Sequence, residues 1–186
     1  MLIKNISAKF SLVYFSIFIV IGINAPFFPL WLSSKGFTER YIAIILAASV
    51  LTKLLANPFF AGLGDKYGNR KIPMLYLSFI SIIVLFSLNI FNSLYIISFI
   101  AITSWALFAP LMPLTESLTT TAIKKYNFDY GNTRLWGSVS FIIIAFFGGL
   151  IIEQHGLKYV PILMTIGALF LFLSIIIMPT IPSLPA

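Results

Sequence analysis

Pro113 to Ser138 reads PLTESLTTTAIKKYNFDYGNTRLWGS. It holds an acid, Glu116, where one apolar run ends and a base, Arg134, where the next begins. Between them lies a polar connector with Lys124, Lys125, Asn127, Asp129 and Gly131. The flanking sequence is almost continuously apolar, so these charges fall at the edge of lipid or inside it. A charge in that setting costs several kcal/mol unless it finds a partner or lines a wet cavity, which makes Glu116 and Arg134 candidates for a solute path.

Working outward, the composition assigns the class. Hydrophobic residues make up 60% of the 186-residue chain and charged residues 9%, against roughly 25% charged in a soluble domain. Only a bilayer absorbs that much apolar surface. Six spans of about 20 residues, the length that crosses ~30 Å of hydrocarbon, are expected near 10–32, 40–63, 73–91, 94–118, 133–152 and 159–178. The first run, Phe10 to Leu32, exceeds the roughly 7–15 residues of a signal peptide and reads as a transmembrane helix. The fold class is therefore all-α, a polytopic membrane protein.

Lys4, Lys9, Lys66, Arg70, Lys71, Lys124, Lys125 and Arg134 lie on one side of these spans, and only Lys35, Arg40 and Lys158 on the other. This asymmetry predicts a multi-pass protein of the cell inner membrane with both termini in the cytoplasm. Tyr41, Tyr67, Tyr95, Tyr126, Tyr130, Tyr159, Trp31 and Trp136 gather at the predicted helix ends as an interfacial belt. The net charge of +7 is spread over the links, the pattern of orientation signals and not of nucleic-acid binding. Cysteine is absent, which removes disulfides and thiol chemistry. No paired-carboxylate, nucleophile–base or metal-ligand spacing occurs, so neither an enzyme, a metal nor a cofactor is expected.

An internal repeat sets the architecture. Ala25-Pro-Phe-Phe-Pro-Leu30 in the first span matches Ala109-Pro-Leu-Met-Pro-Leu114 in the fourth. DKYGNRKIPML (65–75) matches EQHGLKYVPIL (153–163), with acid, glycine, proline and leucine all recurring. The chain reads as one six-helix membrane domain, 1–186, built of three-helix repeats at about 10–91 and 94–178. An odd number of helices inverts the second copy in the membrane.

Lys53 lies near mid-membrane in the second span, and Ser49, Lys53 and Asn57 share a helix face at four-residue spacing. Two readings are open: a lysine that snorkels or pairs with Glu116, or a cation that holds an anionic solute in a cavity. Glu116 and Arg134 likewise either tie two helices together or face the solute. Phe141 follows Arg134 by seven residues on the same face and can pack on an apolar or aromatic body, while Arg134 can grip a carboxylate through two hydrogen bonds. Asn24, beside the Pro26 and Pro29 breaks, is a further liner, because backbone groups freed by proline need protein or water partners. His155 reads as a surface residue and Trp105 as packing.

Asp65-Lys-Tyr-Gly-Asn-Arg-Lys71 resembles the signature loop between helices 2 and 3 of the major facilitator superfamily, with Ala61 where a glycine usually precedes the acid. APFFPLWL (25–32), PLTESL (113–118), FDYGNTRLWGSVSF (128–141) and MPTIP (178–182) are similar to the phenylpropionic acid transporter family, and more distantly to the lactose permeases. The resemblance implies the N-terminal half of a transporter, importing a small organic solute such as an aromatic acid with protons by alternating access. It implies that Asp65, Gly68, Arg70 and Lys71 form a conformational latch, and that Glu116 and Arg134 match the permeases' sugar-binding acid and base. Phe141 stands where those permeases stack a tryptophan, which argues against galactosides. Sugar or nucleoside symport, or a non-transporting truncated membrane protein, are the alternatives. The family has twelve helices and six are present here, so a second six-helix half is an expected partner.

Overall fold

The computed structural model describes residues 2–66 and 68–181, without the side chains of residues 2–4 and 65. Its helices are α1 (Leu2–Ser34), α2 (Glu39–Lys66), α3 (Lys71–Ser87), α4 (Leu94–Phe108), α5 (Leu111–Tyr126), α6 (Tyr130–His155) and α7 (Val160–Ile177), with a short 3-10 turn at Leu157–Tyr159. Among the described residues there is no strand. Among these residues five stretches are long and apolar enough to cross a membrane, with α4 and α5 counting as one, Leu94–Tyr126. The shorter apolar helix α3 completes the set of six.

The two halves of the chain use the same local devices. Gly68 and Gly156, equivalent in the repeat, both take positive φ, +61° and +90°, a region that residues with a Cβ avoid. Pro73 and Pro161 then sit in the first turns of α3 and α7, where the missing N–H has no helical partner to lose. The packing follows the same exchange. If α1, α2 and α3 correspond to α4–α5, α6 and α7, the contact of α1 with α6 becomes that of α4 with α2. The contact of α1 with α7 becomes that of α4 with α3, and α3 against α7 maps onto itself. All of these pairs are present. The fold is therefore two three-helix units packed about a common centre.

α1 is the central element. Phe10, Val13, Tyr14 and Ile17 are fully buried, and small residues let its neighbours approach. A Cβ on Gly167 of α7 would meet Ile19 Cγ2 at 2.7 Å and the Val20 backbone nitrogen at 3.3 Å. In lipid, where apolar burial gives little drive, close contact of this kind and interhelical hydrogen bonds hold helices together. Ser140 Oγ donates to the Phe15 carbonyl (2.7 Å) and Ser7 pairs with Thr133 (3.0 Å), fixing α6 against α1. Leu51, Leu54, Leu55 and Phe59 of α2, and Ile142, Phe146 and Phe147 of α6, remain exposed.

Two of the boundaries that depart from the sequence reading position the site. The fourth span was expected to end at 118, but its helix continues to Tyr126. Thr115, Thr119 and Thr121 return their hydroxyls to carbonyls of their own helix, at 2.7, 2.7 and 2.9 Å, so these polar groups are satisfied within it. Lys124 and Lys125 then complement the helix C-terminus, and Asn127 stops it at φ +50°. Glu116 thus lies within α5 and not near a helix end. α6 begins at Tyr130, where the Asp129 carboxylate accepts from Asn132 N–H at 2.6 Å as the N-cap, so Arg134 sits in its second turn.

Candidate functional site

The three-residue turn between α5 and α6 brings Glu116 and Arg134 together. Arg134 Nε donates to Glu116 Oε1 at 3.2 Å, and Tyr130 OH donates to Glu116 Oε2 at 2.5 Å. Both carboxylate oxygens are therefore engaged from α6. α1 supports the base from the other side: the guanidinium lies over the Phe18 ring at 4.6 Å and the Tyr14 ring at 5.3 Å, within cation–π range. Tyr14 is itself anchored, donating to Thr119 Oγ1 of α5 at 3.2 Å. The two charged side chains keep 28% (Arg134) and 30% (Glu116) of their surface exposed.

Lys53 does not join that pair. It lines a separate cavity of about 260 Å³ with Asn57, Trp105, Phe108, Met112 and Pro113. Its Nζ lies over the Trp105 ring, 4.6 Å from the centroid. Asn57 Oδ1 is buried and has no hydrogen-bond partner. Ser49, the third residue of the predicted polar stripe, turns back to the Ile45 carbonyl at 2.8 Å. The cavity and the ion pair adjoin along two helices. Met112 and Pro113 stand about one turn before Glu116 on α5, and the cavity-lining Ile21 stands about one turn after Phe18 on α1, a rise of ~5.4 Å.

The other predicted residues lie around these two centres. Asn24 is buried on α1 and donates from Nδ2 to Met164 Sδ of α7 at 3.9 Å. Phe141 is half-buried on α6, and its carbonyl oxygen would stand 3.3 Å from a Cβ at Gly22, marking close approach of α1 and α6. Of the expected latch loop, Asp65 falls in the last turn of α2; its side chain lies outside the described residues, as does Tyr67. Arg70 donates to Ser117 Oγ on α5. Lys71 Nζ donates to the Ile176 and Met178 carbonyls at 2.9 and 2.5 Å, capping the end of α7.

Trp105 packs against the core as expected, but sequence reasoning missed its contact with Lys53 and the aromatic support that Tyr14, Phe18 and Tyr130 give the ion pair. Tyr130 carried a usable signal, since it precedes Arg134 by four residues and so shares its helix face. Tyr14, Phe18 and Trp105 carried none, because their partners are distant in sequence.

The profile of the MFS_1 like family matches residues 7–184. The chain is 30% identical over 170 residues to the probable 3-phenylpropionic acid transporter of Escherichia coli K12, a match covering 90% of this chain and 44% of that protein. It is 27% identical over 156 residues to the sucrose permease of Escherichia coli, covering 79% of this chain and 38% of the relative. Identity to the lactose permease of Citrobacter freundii is 28% over 145 residues, covering 70% and 33%. The chain spans less than half the length of these curated relatives. With six apolar helices in two three-helix units and a match along nearly its whole length, the chain belongs to the MFS_1 like family of the major facilitator superfamily, whose members here are transporters and not enzymes.

Proposed function

We propose that this chain is the N-terminal half of a secondary active transporter. It imports a small organic solute, such as an aromatic acid, together with protons by alternating access. The reading treats the chain as one six-helix domain, with repeats at about 10–91 and 94–178, in the inner membrane with both termini cytoplasmic. A second six-helix half closes the cavity from the other side.

One observation carries this reading: an acid–base pair between two apolar helices of membrane-crossing length stays about 30% exposed, one helical turn from a cavity that holds a lysine. A pair serving only to tie helices would gain from full enclosure in protein, because intramembrane charges are costly wherever lipid reaches them. Partial exposure beside a hollow is what a solute path requires. Glu116, Arg134, Lys53 and Asn57 supply its polar contacts, and Phe141 and Asn24 the flanking helix surfaces. Asp65, Gly68, Arg70 and Lys71 form the latch, supported by the bonds of Arg70 to α5 and of Lys71 to α7. Similarity to an aromatic-acid transporter over 90% of the chain supports the solute class.

A second reading, a sugar symporter half, draws on the two permeases. The lysine in the cavity favours an anion over a neutral sugar. Coexpression with a second six-helix half, followed by uptake of radiolabelled 3-phenylpropionate and of sucrose, separates the two. Uptake of the acid, abolished by Arg134→Ala and by a protonophore, is expected. Uptake indifferent to Arg134→Ala would overturn the site assignment.

A further inference from the structure

We infer that Lys53, held on the face of Trp105, is the anion anchor of the cavity, and that the two together select a carboxylate carried on an aromatic ring. This deepens the transport reading and rests on it.

The argument starts from charge balance. Glu116 and Arg134 neutralise one another, and Tyr130 fills the remaining carboxylate oxygen. That centre offers hydrogen bonds but little net charge. Lys53 differs: among the described residues no carboxylate lies within ion-pair distance of it, and its contact is the indole ring. It stands 14 residues after Glu39, the first residue of α2, about 21 Å along the helix, where an uncompensated cation is costly. A cation–π contact offsets part of that cost. A carboxylate offsets more, so an acid entering the cavity draws the ammonium toward itself.

That movement has a second consequence. The indole face covered by Lys53 is uncovered as Nζ swings to the acid, and an aromatic ring can take its place with Phe108 and Met112 nearby. Asn57, whose amide oxygen is bound to nothing, is free to turn its NH₂ toward the second carboxylate oxygen. The cavity, about 260 Å³, falls just below the roughly 300–1,000 Å³ of sites for drug-sized ligands. That size suits one ring with a short acid chain. Trp105 is then a specificity-determining residue and Lys53 the charge reader.

Competition binding tests this with the chain coexpressed and co-reconstituted with a second six-helix half in nanodiscs, and radiolabelled 3-phenylpropionate as probe. The competitors are 3-phenylpropionate itself, 3-cyclohexylpropionate, which keeps the charge and loses the aromatic ring, and 3-phenylpropionamide, which keeps the ring and loses the charge. The acid is expected to outcompete each of the others by about tenfold. Lys53→Gln should erase the preference over the amide while Lys53→Arg keeps it. Trp105→Leu should erase the preference over the saturated ring and keep the preference for charge. If the preference over the amide survives Lys53→Gln and disappears in Arg134→Gln, this inference is overturned and the transport reading stands. Failure of the unaltered chain to bind any of the three would overturn both.

Discussion

Arg134 Nε meets Glu116 Oε1 at 3.2 Å across the turn between α5 and α6. The contact joins helices that otherwise touch little, since each packs mainly on other partners. It is a hydrogen-bonded ion pair at partial exposure, which limits its contribution to stability. A double-mutant cycle of Glu116→Gln and Arg134→Gln should give a coupling of roughly 0.2–1 kcal/mol in thermal unfolding, the range for solvent-reached pairs. Loss of uptake should far exceed that small cost. A coupling of several kcal/mol with uptake retained would mark the pair as a structural tie.

Close packing of α7 on α1 makes a separate prediction. Gly167→Leu drives a side chain into Ile19 and Val20 and should lower stability by about 1–3 kcal/mol, as overpacking does. Gly62→Ala is the control, because nothing lies within 4 Å of its added Cβ. Helix propensity favours that change by up to ~1 kcal/mol. Detergent melting curves of the two variants should therefore shift in opposite directions.

Lys71 reaches the carbonyls of Ile176 and Met178, tying the loop after α2 to the end of the last helix. Removing the ammonium with Lys71→Gln leaves carbonyls of the last turn without a cation, at a cost of about 0.3–1 kcal/mol. Hydrogen exchange should rise at the C-terminal turn of α7 and stay unchanged at its start near Val160. Uniform exchange along α7 in both forms would remove the tie from the account.

Much of the fold could be read from the chain because it is written in local devices. The recurring glycines at 68 and 156 allow the positive φ that the chain takes there, and the prolines at 73 and 161 suit a first helical turn. Six apolar runs follow from span length alone. Other features depend on neighbours that sequence order hides. Ala25-Pro26 and Ala109-Pro110 open nearly the same hexapeptide, yet α1 runs through it while Pro110 separates α4 from α5. Proline removes the same backbone donor in both places, so the surrounding helices decide whether a break follows. The proximity of Glu116 and Arg134 was legible from the short connector. The seat of Lys53 on Trp105 was not, since it joins residues 52 positions apart and periodicity carries no information on which helices touch.

Water and solute access to the cavity is the central claim, and the absence of native cysteine permits a direct measurement. Asn57→Cys introduces the chain's sole thiol into the cavity wall. In native membranes this thiol should react with a charged, water-soluble methanethiosulfonate, because the attacking species is the thiolate, and 3-phenylpropionate should slow the reaction. A thiol untouched by the charged reagent but modified by a lipophilic maleimide would mean a dry, lipid-facing site, and would contradict the account.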